Sequence, residues 1–291
     1  MDVHLIDGTF ELFRHFYSPR TDEADPAGMA GVRGVVGSVL GMLENGATHM
    51  GVATDHVIES FRNQLWPGYK TGDGIDPELW AQFWPLEDAL EAMGVVVWPM
   101  VEFEADDALA AAAAIAAADR WVRRVIICTP DKDLGQCVTD GRIVQLDRRT
   151  GEVRDAAGVE AKFGVPPASM ADWLALVGDS ADGFPGLPGW GAKSAAAVLA
   201  RYRHLEDIPP RAADWDIPVR GAARLAATLA DDREQAILFR TLATLRKDAL
   251  PAFGVESLRW KGPALLFADV ARALGAPGLA ERAARLAAGM R

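Results

Sequence analysis

Short apolar runs alternate with helical patterns along the first half of the chain, and several of the runs end in an acidic residue. The run at 3–7 reads VHLID, and the run at 50–55 reads MGVATD. Strands that alternate with helices indicate a mostly parallel sheet covered by helices on both faces. The sequence therefore predicts an α/β fold for this half. The strand candidates are 3–7, 50–55, 95–100, 125–133 and 142–146, and the helix candidates are about 30–45, 78–93 and 104–121.

The pattern changes after about residue 150, where strand signals give way to turns and helical stretches. We therefore expect two domains, an α/β core over 1–155 and a mostly helical domain over 156–291. The helix candidates in the second domain are 158–163, 169–177, 191–202, 220–230, 233–245 and 264–289.

Aspartates follow three of the predicted strands. They are Asp7, Asp55 and the pair Asp131 and Asp133. A single aspartate after a strand is explained well enough as a turn or helix-capping residue. In open α/β sheets, however, ligands bind at the carboxyl ends of the strands, and three such strands place acids at that one edge. This coincidence favours a binding site.

Two further acidic groups belong to the same prediction. Glu104, Asp106 and Asp107 fall in the first turn of an alanine-rich helix, where acids also cap the helix and complement its dipole. Asp179 and Asp182 directly precede a turn with two prolines. Carboxylates that lie close together repel one another unless cations neutralise them, and Mg²⁺ prefers carboxylate and water ligands. The acids therefore predict a site for two divalent ions.

The stretch GLPGWGAKSA (186–195) predicts a phosphate-binding turn. Gly189 and Gly191 allow a tight hairpin with exposed backbone N–H groups, and the following helix directs its positive end at the same place. Lys193 and Ser194 stand in the first turn of that helix. A glycine pair before a helix is weak evidence alone, but the whole pattern is that of a helix-hairpin-helix, which binds nucleic acid through its phosphates.

The net charge of -11 argues against an ordinary nucleic-acid-binding protein, because basic patches are the usual signature of one. Bound metal ions change that conclusion, since they offset clustered carboxylates. Cys128 and Cys137 match no zinc spacing and suggest no disulfide framework. The N-terminus is unlike a secretory signal and no apolar run is long enough for a membrane span, so we expect a cytoplasmic protein without membrane contact.

The motifs together resemble the bacterial 5′-to-3′ exonuclease and flap endonuclease family, which forms the N-terminal domain of DNA polymerase I. The resemblance implies a PIN/resolvase-like α/β core with a helical arch at about 61–93, and a C-terminal all-helical region with a helix-hairpin-helix at about 169–202. The chain is most similar to a free-standing member. The motifs are LIDG (5–8), FRHF (13–16), SFRNQLWPGYK (60–70), EADD (104–107), TPDKDL (129–134) and GDSADGFPGLPGWGAKSA (178–195).

The resemblance also implies roles for individual residues. Arg62 and Lys70 match basic residues that contact the scissile phosphate, and Tyr69 matches an aromatic residue that stacks on a base. Arg14 and the hairpin residues Gly189, Gly191, Lys193 and Ser194 are implied to contact DNA. The residues that match the family's metal-site carboxylates are Asp7, Asp55, Glu104, Asp106, Asp107, Asp131, Asp133, Asp179 and Asp182.

The implied activity is hydrolysis of DNA at 5′ ends or flaps by a two-metal mechanism, with two Mg²⁺ or Mn²⁺ ions and a potassium ion at the hairpin. The implied partners are DNA with a 5′ end or flap and a separate DNA polymerase, and we expect a monomer. The main alternative is a non-catalytic DNA-junction-binding module with a vestigial metal site. A small PIN-type ribonuclease normally lacks the helix-hairpin-helix, and a phosphatase or receiver requires a threonine that does not follow Asp133.

Three departures from the family pattern bear on substrate binding. Asp73 stands where a basic residue is usual, and Gly183 stands where asparagine is usual. The segment GDGIDP (72–77) is acidic where DNA is expected to pass. We therefore expect weak DNA binding that falls steeply as salt is added.

Overall fold

The computed structural model describes residues 1–18 and 28–290. The chain groups into two compact units. Unit 1 comprises Met1–Ile58, Gly72–Thr129 and Lys247–Arg291, and unit 2 comprises Glu59–Thr71 and Pro130–Arg246. Each unit draws on more than one segment of the chain, whereas the sequence predicts one boundary after residue 155. The predicted domain boundary, and the arch at 61–93 within the first domain, stay predictions.

The described residues form six strands and thirteen α-helices. The strands are β1 (Asp2–Asp7), β2 (His49–Asp55), β3 (Val96–Met100), β4 (Arg124–Cys128), β5 (Ile143–Asp147) and β6 (Glu152–Arg154). The helices are α1 (Gly8–Phe16), α2 (Ala30–Glu44), α3 (Arg62–Leu65), α4 (Pro77–Trp80), α5 (Phe83–Ala92), α6 (Ala105–Ala118), α7 (Ala156–Phe163), α8 (Met170–Val177), α9 (Ala192–Tyr202), α10 (Ala222–Asp231), α11 (Arg233–Ala243), α12 (Phe267–Ala273) and α13 (Gly278–Gly289).

The four strands of unit 1 are parallel and lie side by side in the order β3, β2, β1, β4. Their side chains are buried on both faces, as shown by Val3, Leu5 and Ile6 of β1, which have no exposed surface. Such continuous apolar strands are typical of a parallel sheet with helices on both sides. The predicted α/β fold with a mostly parallel sheet is therefore confirmed.

Helix α6 packs against all four strands of unit 1. Its sequence, ADDALAAAAAIAAA, is almost entirely alanine on the buried side. Small side chains let the helix axis lie close to the sheet, and alanine has the highest helix propensity of any residue. The alanine-rich stretch thus serves the fold, and it fixes the N-terminus of α6 beside the carboxyl ends of the strands.

The last residues of the chain belong to unit 1. Helix α12 packs on α5, and helix α13 packs on α2. Trp260 is buried, and its Nε1–H donates a hydrogen bond to the Met93 carbonyl at 2.8 Å. Arg282 pairs with Glu44 through two hydrogen bonds of 3.0 and 2.6 Å. The C-terminal segment therefore stabilises the α/β unit, a role that the sequence pattern did not reveal.

Unit 2 is mostly helical and has its own apolar core. Helices α8 and α11 pack against each other, with Leu174 and Phe239 fully buried. Strands β5 and β6 form an antiparallel hairpin in this unit. Asp172 on α8 accepts hydrogen bonds from Arg240 on α11 at 3.1 Å and pairs with His204 at 2.9 Å. These pairings to the buried Asp172 tie the helices together around the core.

Several predicted elements differ from the observed ones. The predicted helix at 78–93 is two helices, α4 and α5, because Pro85 has no backbone N–H to donate to the Ala81 carbonyl, as a continuous helix requires, but fits in the first turn of α5. The predicted helix at 264–289 breaks between α12 and α13, where Gly275 adopts a φ of +72°. Helix α1 and strand β6 lie outside the predicted elements. Within the described residues, the helices are all too short or too polar to cross a membrane.

Candidate functional site

In unit 1, the carboxyl ends of β1 and β2 each carry an aspartate. Asp7 caps α1, because its Oδ1 accepts the Phe10 N–H at 2.8 Å, and its Oδ2 accepts the Thr129 hydroxyl at 3.1 Å. Asp55 ends β2, and its backbone N–H donates to the Thr9 hydroxyl at 2.8 Å. Both aspartates therefore lie at the predicted edge of the sheet, held by hydrogen bonds to hydroxyl and backbone groups.

The N-terminus of α6 brings the EADD acids to the same edge of unit 1. Asp55 Oδ1 accepts the N–H of Ala105, the first residue of α6, at 2.8 Å. Glu104 and Asp107 form a reciprocal capping box, in which the Glu104 N–H donates to Asp107 Oδ2 at 3.0 Å. Asp107 is fully buried and Asp106 is half-buried. The capping explanation thus accounts for the backbone contacts of Glu104 and Asp107, and their role as metal ligands stays a prediction.

In unit 2, three aspartates from two motifs form a tight group, which we call the Asp triad. Carboxylate oxygens of Asp133, Asp179 and Asp182 lie within 4.8 Å of one another. All three residues are at most 9% exposed. Over residues 1–18 and 28–290, this is the one group of three or more potential metal ligands that approach so closely. Asp131 lies beside it and accepts the Asp133 N–H at 2.8 Å through Oδ1.

A closed turn between α8 and α9 positions Asp179 and Asp182. The backbones of Asp179 and Phe184 exchange two hydrogen bonds, of 2.8 and 3.0 Å, and the Leu187 N–H donates to the Leu176 carbonyl. Gly178 and Gly186 cross so closely that a Cβ on Gly186 would lie 2.3 Å from the Gly178 nitrogen. Only glycine fits this crossing. The prolines and glycines of the motif therefore hold the two carboxylates in place.

Two lysines neutralise part of the charge of the Asp triad. Lys132 Nζ pairs with Asp179 Oδ2 and lies 3.7 Å from Asp133 Oδ1. Lys70 Nζ pairs with Asp182 Oδ1 at 2.9 Å. Burial alone would lower the pKa of Lys132, but the neighbouring carboxylates of Asp133, Asp179 and Asp131 raise it above its ordinary value. Lys132 therefore stays protonated beside the triad.

Asp133 is the least compensated member of the triad. Among the residues that the structure describes, none donates a hydrogen bond to its buried Oδ1. Burial, followed by the charges of Asp131 and Asp182, raises the pKa of Asp133 well above its ordinary value. A buried carboxylate oxygen without a donor is costly, and a divalent cation offers both the missing contact and the missing charge. The donor set of the triad therefore fits an oxygen-coordinated divalent metal.

In metal-free buffer, we expect Asp133→Asn to gain thermal stability relative to the wild type as the pH rises. The Asp133 carboxyl ionises near 3.8 in the unfolded chain but keeps its proton to higher pH in the fold. Above this unfolded pKa the Asp133 carboxyl binds more protons in the fold than in the unfolded chain, so its contribution to wild-type stability falls with rising pH. Melting curves of both proteins between pH 4 and 8 measure the difference. If the melting temperatures of the two proteins change with pH in parallel, the prediction is wrong. Saturating Mn²⁺ should abolish the stability advantage of Asp133→Asn over the wild type.

Three of the basic and aromatic positions implied by the resemblance are buried or paired. Arg62 is 1% exposed, and its guanidinium donates to the carbonyls of Leu242 at 2.7 Å and Thr244 at 3.2 Å. Tyr69 is 3% exposed and packs in the core of unit 2. Arg14 pairs with the buried Glu11 in unit 1. Phosphate contact by Arg62, base stacking by Tyr69 and DNA contact by Arg14 stay predictions.

The predicted hairpin and its helix are present in unit 2. Helix α8, the turn and helix α9 follow one another as the motif requires, and Gly189 adopts a φ of +83°. The Gly191 N–H donates to the Ser194 hydroxyl at 3.1 Å. A pocket of about 570 Å³ is lined by the two glycines, Lys193, Ser194 and Arg220, among others. The sequence motif thus forms an open cradle with a lysine and an arginine on its walls.

Gly183 shows why this chain lacks the family's asparagine. Its φ is +83°, and a Cβ at this position would lie 2.0 Å from the Gly68 carbonyl oxygen. The Trp66 indole donates a hydrogen bond to the Gly183 carbonyl at 3.0 Å, and this bond also holds the Gly183 backbone close to Gly68. An asparagine at 183 would therefore strain this backbone, and its replacement by glycine is a structural adjustment.

Sequence reasoning missed three residues that hold the carboxylates. Lys132 belongs to the motif TPDKDL, but its ion pair with Asp179 joins motifs about fifty residues apart, which no local pattern shows. Thr129 and Gln145 were also passed over, although the Thr129 hydroxyl donates to Asp7 in unit 1 and the Gln145 amide donates to the Asp131 carbonyl in unit 2. A polar residue directly after a buried strand, as Thr129 is, was the available signal.

Among solved structures, a bacteriophage T5 flap endonuclease in a complex with DNA and metal ions superposes with a TM-score of 0.64, at 19% identity over 98% of both chains. The catalytic core of Rad2 in complex with a DNA substrate gives a TM-score of 0.62, at 16% identity over 99% of this chain and 92% of that one. At these identities the likeness shows a shared fold.

Two sequence relatives cover most of this chain. DNA polymerase I of Pseudomonas aeruginosa is 36% identical over 258 residues, which are 84% of this chain and 27% of that protein. The 5′-3′ exonuclease of Buchnera aphidicola is 27% identical over 253 residues, 84% of this chain and 86% of that protein. The chain thus spans about a quarter of the length of the polymerase.

Two family descriptions match consecutive parts of the chain. The N-terminal resolvase-like domain of 5′-3′ exonuclease matches residues 2–164, and its C-terminal SAM fold matches residues 165–265. Together they cover nearly the whole chain in the order that the sequence motifs imply. The chain belongs to the 5′-3′ exonuclease family, whose members hydrolyse phosphodiester bonds.

Proposed function

We propose that this chain is a metal-dependent 5′-3′ exonuclease and flap endonuclease that hydrolyses phosphodiester bonds of DNA at 5′ ends or flaps. The observation that carries the proposal is the Asp triad, whose buried Asp133 oxygen has no donor among the described residues. Buried carboxylates placed within 4.8 Å of one another cost stability unless a cation accompanies them. Membership of the 5′-3′ exonuclease family supplies the reaction class.

The metal ions that we propose are Mg²⁺ or Mn²⁺, two in number. When bound, such ions stabilise charge on the phosphodiester and promote attack by water. The Asp triad would hold an ion in unit 2. In unit 1, Asp7 and Asp55 would serve with the EADD acids, since carboxylate and water ligands suit these metals. The protein residues supply the ligands, and Lys132 and Lys70 limit repulsion among the carboxylates before metal arrives.

The hairpin would hold the DNA through its phosphates. Gly189 and Gly191 lie beside the N-terminus of α9, where the helix dipole favours anions. Lys193 and Ser194 can reach a phosphate oxygen from the first turn of that helix. A potassium ion at the hairpin carbonyls is part of the same proposal. Contacts of this kind hold DNA without reading its sequence.

Metal-dependent cleavage tests the proposal. A duplex with a 5′ flap, labelled at its 5′ end, is incubated at low salt with Mg²⁺, with Mn²⁺ or with EDTA. We expect short labelled products with either metal and none in EDTA. A fully single-stranded oligonucleotide serves as the matched substrate control, because flap cleavage should be faster.

Retained flap binding without cleavage in either metal would overturn the proposal and favour the non-catalytic DNA-junction-binding module. Cleavage that continues in EDTA would exclude metal dependence. Sedimentation of the chain alone would test the further proposal that it is a monomer, and sedimentation with a DNA polymerase and flap DNA would test the proposal of a separate polymerase partner.

A further inference from the structure

We propose that the indole of Trp84 in unit 1 is a stacking platform for an unpaired nucleobase of the 5′ strand. This inference rests on the proposed function and names how the substrate is held. Trp84 is the second residue of α5 and is 56% exposed, although tryptophan is a residue that folding normally buries. An exposed indole that is also held rigidly needs an explanation other than packing.

Two contacts hold the indole in place. Its ring stacks on the His56 imidazole, with centroids 5.5 Å apart and planes 18° from parallel. Its Nε1–H donates a hydrogen bond to the His56 carbonyl at 3.3 Å. The stack covers one face of the indole and leaves more than half of the residue open to solvent. Trp84 is thus oriented before any ligand arrives, which lowers the entropy cost of binding.

A buried carboxylate holds the imidazole in turn. Glu87 is 6% exposed, and its Oε2 lies 2.8 Å from His56 Nδ1. Its Oε1 accepts the Thr54 hydroxyl at 2.8 Å. Both carboxylate oxygens of Glu87 are thus engaged, one by His56 and the other by Thr54. A series of side-chain contacts thus runs from Thr54 in the buried sheet through Glu87 and His56 to the exposed ring of Trp84. Each contact orients the next side chain in the series.

The platform lies at the functional edge of unit 1. Thr54, Asp55 and His56 are consecutive, so the imidazole stands one residue beyond the Asp55 carboxylate. The His56 N–H donates to the Met100 carbonyl at 2.9 Å, which anchors it at the carboxyl ends of β2 and β3. A nucleotide whose phosphate lies at this edge would bring its base within reach of the ring.

A nucleobase suits this platform better than a peptide side chain. Every base has a π-face, so a flat indole binds unpaired strands without regard to sequence. The acidic segment 72–77 offers no cationic groups for phosphates. Stacking supplies affinity without positive charge, which suits a chain of net charge -11.

Equilibrium binding in EDTA tests the platform separately from cleavage. The probe is flap DNA with 2-aminopurine at one unpaired position, whose fluorescence is quenched when the base stacks. We expect Trp84→Ala to weaken flap binding by roughly tenfold to a hundredfold and to lose the quenching, because one base stack is lost. Binding of a blunt duplex should change little. Trp84→Phe, which keeps a ring face, should recover most of the affinity and the quenching.

Trp121 provides the matched control. It is 65% exposed and precedes β4, so it lies at the amino ends of the strands, opposite the platform. Trp121→Ala should bind flap DNA like the wild type. Equal flap affinity in Trp84→Ala and the wild type, or an equal loss in Trp121→Ala, would overturn the platform even where metal-dependent cleavage is intact. A wild-type chain that neither binds nor cleaves the flap would overturn the proposed function and the platform together.

Discussion

Asp179→Ala is expected to lower the rate of metal-dependent flap cleavage by about a thousandfold or more. Removing one carboxylate of the Asp triad takes away a ligand, and metal ions contribute several kcal/mol to charge stabilisation in phosphoryl transfer. The substitution also removes the carboxylate that pairs with Lys132 in the metal-free protein. Single-turnover cleavage of 5′-labelled flap DNA at saturating Mg²⁺ measures the effect.

A second readout separates loss of metal from loss of fold. Metal that binds only the folded state raises the melting temperature, so Mn²⁺ should stabilise the wild type and leave Asp179→Ala almost unchanged. Asp179→Asn keeps the oxygen that accepts the Ala181 N–H at 3.0 Å, and it should therefore fold while remaining inactive. Asp231→Ala, at an exposed aspartate of unit 2, is the matched control and should cleave normally. Substantial cleavage by Asp179→Asn would exclude the triad from the reaction.

Gly186→Ala is expected to destabilise the chain by about 3 kcal/mol or more, which lowers the melting temperature by roughly 5–10 °C. The residue has a φ of +69°, and its Cβ would meet the Gly178 nitrogen at 2.3 Å and the Val177 carbonyl carbon at 2.5 Å. Backbone atoms cannot move aside as flexible side chains do, so the turn that holds Asp179 and Asp182 must open. Metal-dependent stabilisation should therefore be lost together with stability.

Gly191→Ala is the matched control for this second prediction. Gly191 lies in the same motif with a φ of -144°, and a Cβ there would meet nothing within 4 Å. Its melting temperature should stay within a degree or two of the wild type. If Gly186→Ala melts like Gly191→Ala and keeps its response to Mn²⁺, the close crossing of Gly178 and Gly186 does not position the carboxylates.

Local sequence patterns were sufficient to predict the strands and helices whose positions depend on one apolar period or one glycine-containing motif. The runs at 3–7 and 50–55 became β1 and β2, and Asp7 and Asp55 lie at their ends as predicted. The hairpin helices were predicted at 169–177 and 191–202, and they occur at Met170–Val177 and Ala192–Tyr202. Apolar spacing and glycine placement act over a few residues, so the sequence shows them directly.

Burial of charged and aromatic side chains could not be foreseen in the same way. Arg62 and Tyr69 belong to one motif, SFRNQLWPGYK, and the resemblance implies DNA contacts for both. The structure buries both side chains, since the Leu242 carbonyl of α11 accepts a hydrogen bond from Arg62 and Tyr69 belongs to the core of unit 2. Leu242 lies 180 residues from Arg62 along the chain, and no local pattern encodes such a distance.

The sequence by itself determined the order of strands and helices, the acids at the ends of β1 and β2, the hairpin and the family. Only the tertiary structure decided which acids gather, which cations accompany them and which rings stay exposed. It selected Asp133, Asp179 and Asp182 as one close group, placed Lys132 against Asp179, and stacked Trp84 on His56. The reason is physical: secondary structure follows from neighbouring side chains, whereas desolvation and charge pairing depend on groups that only folding brings together.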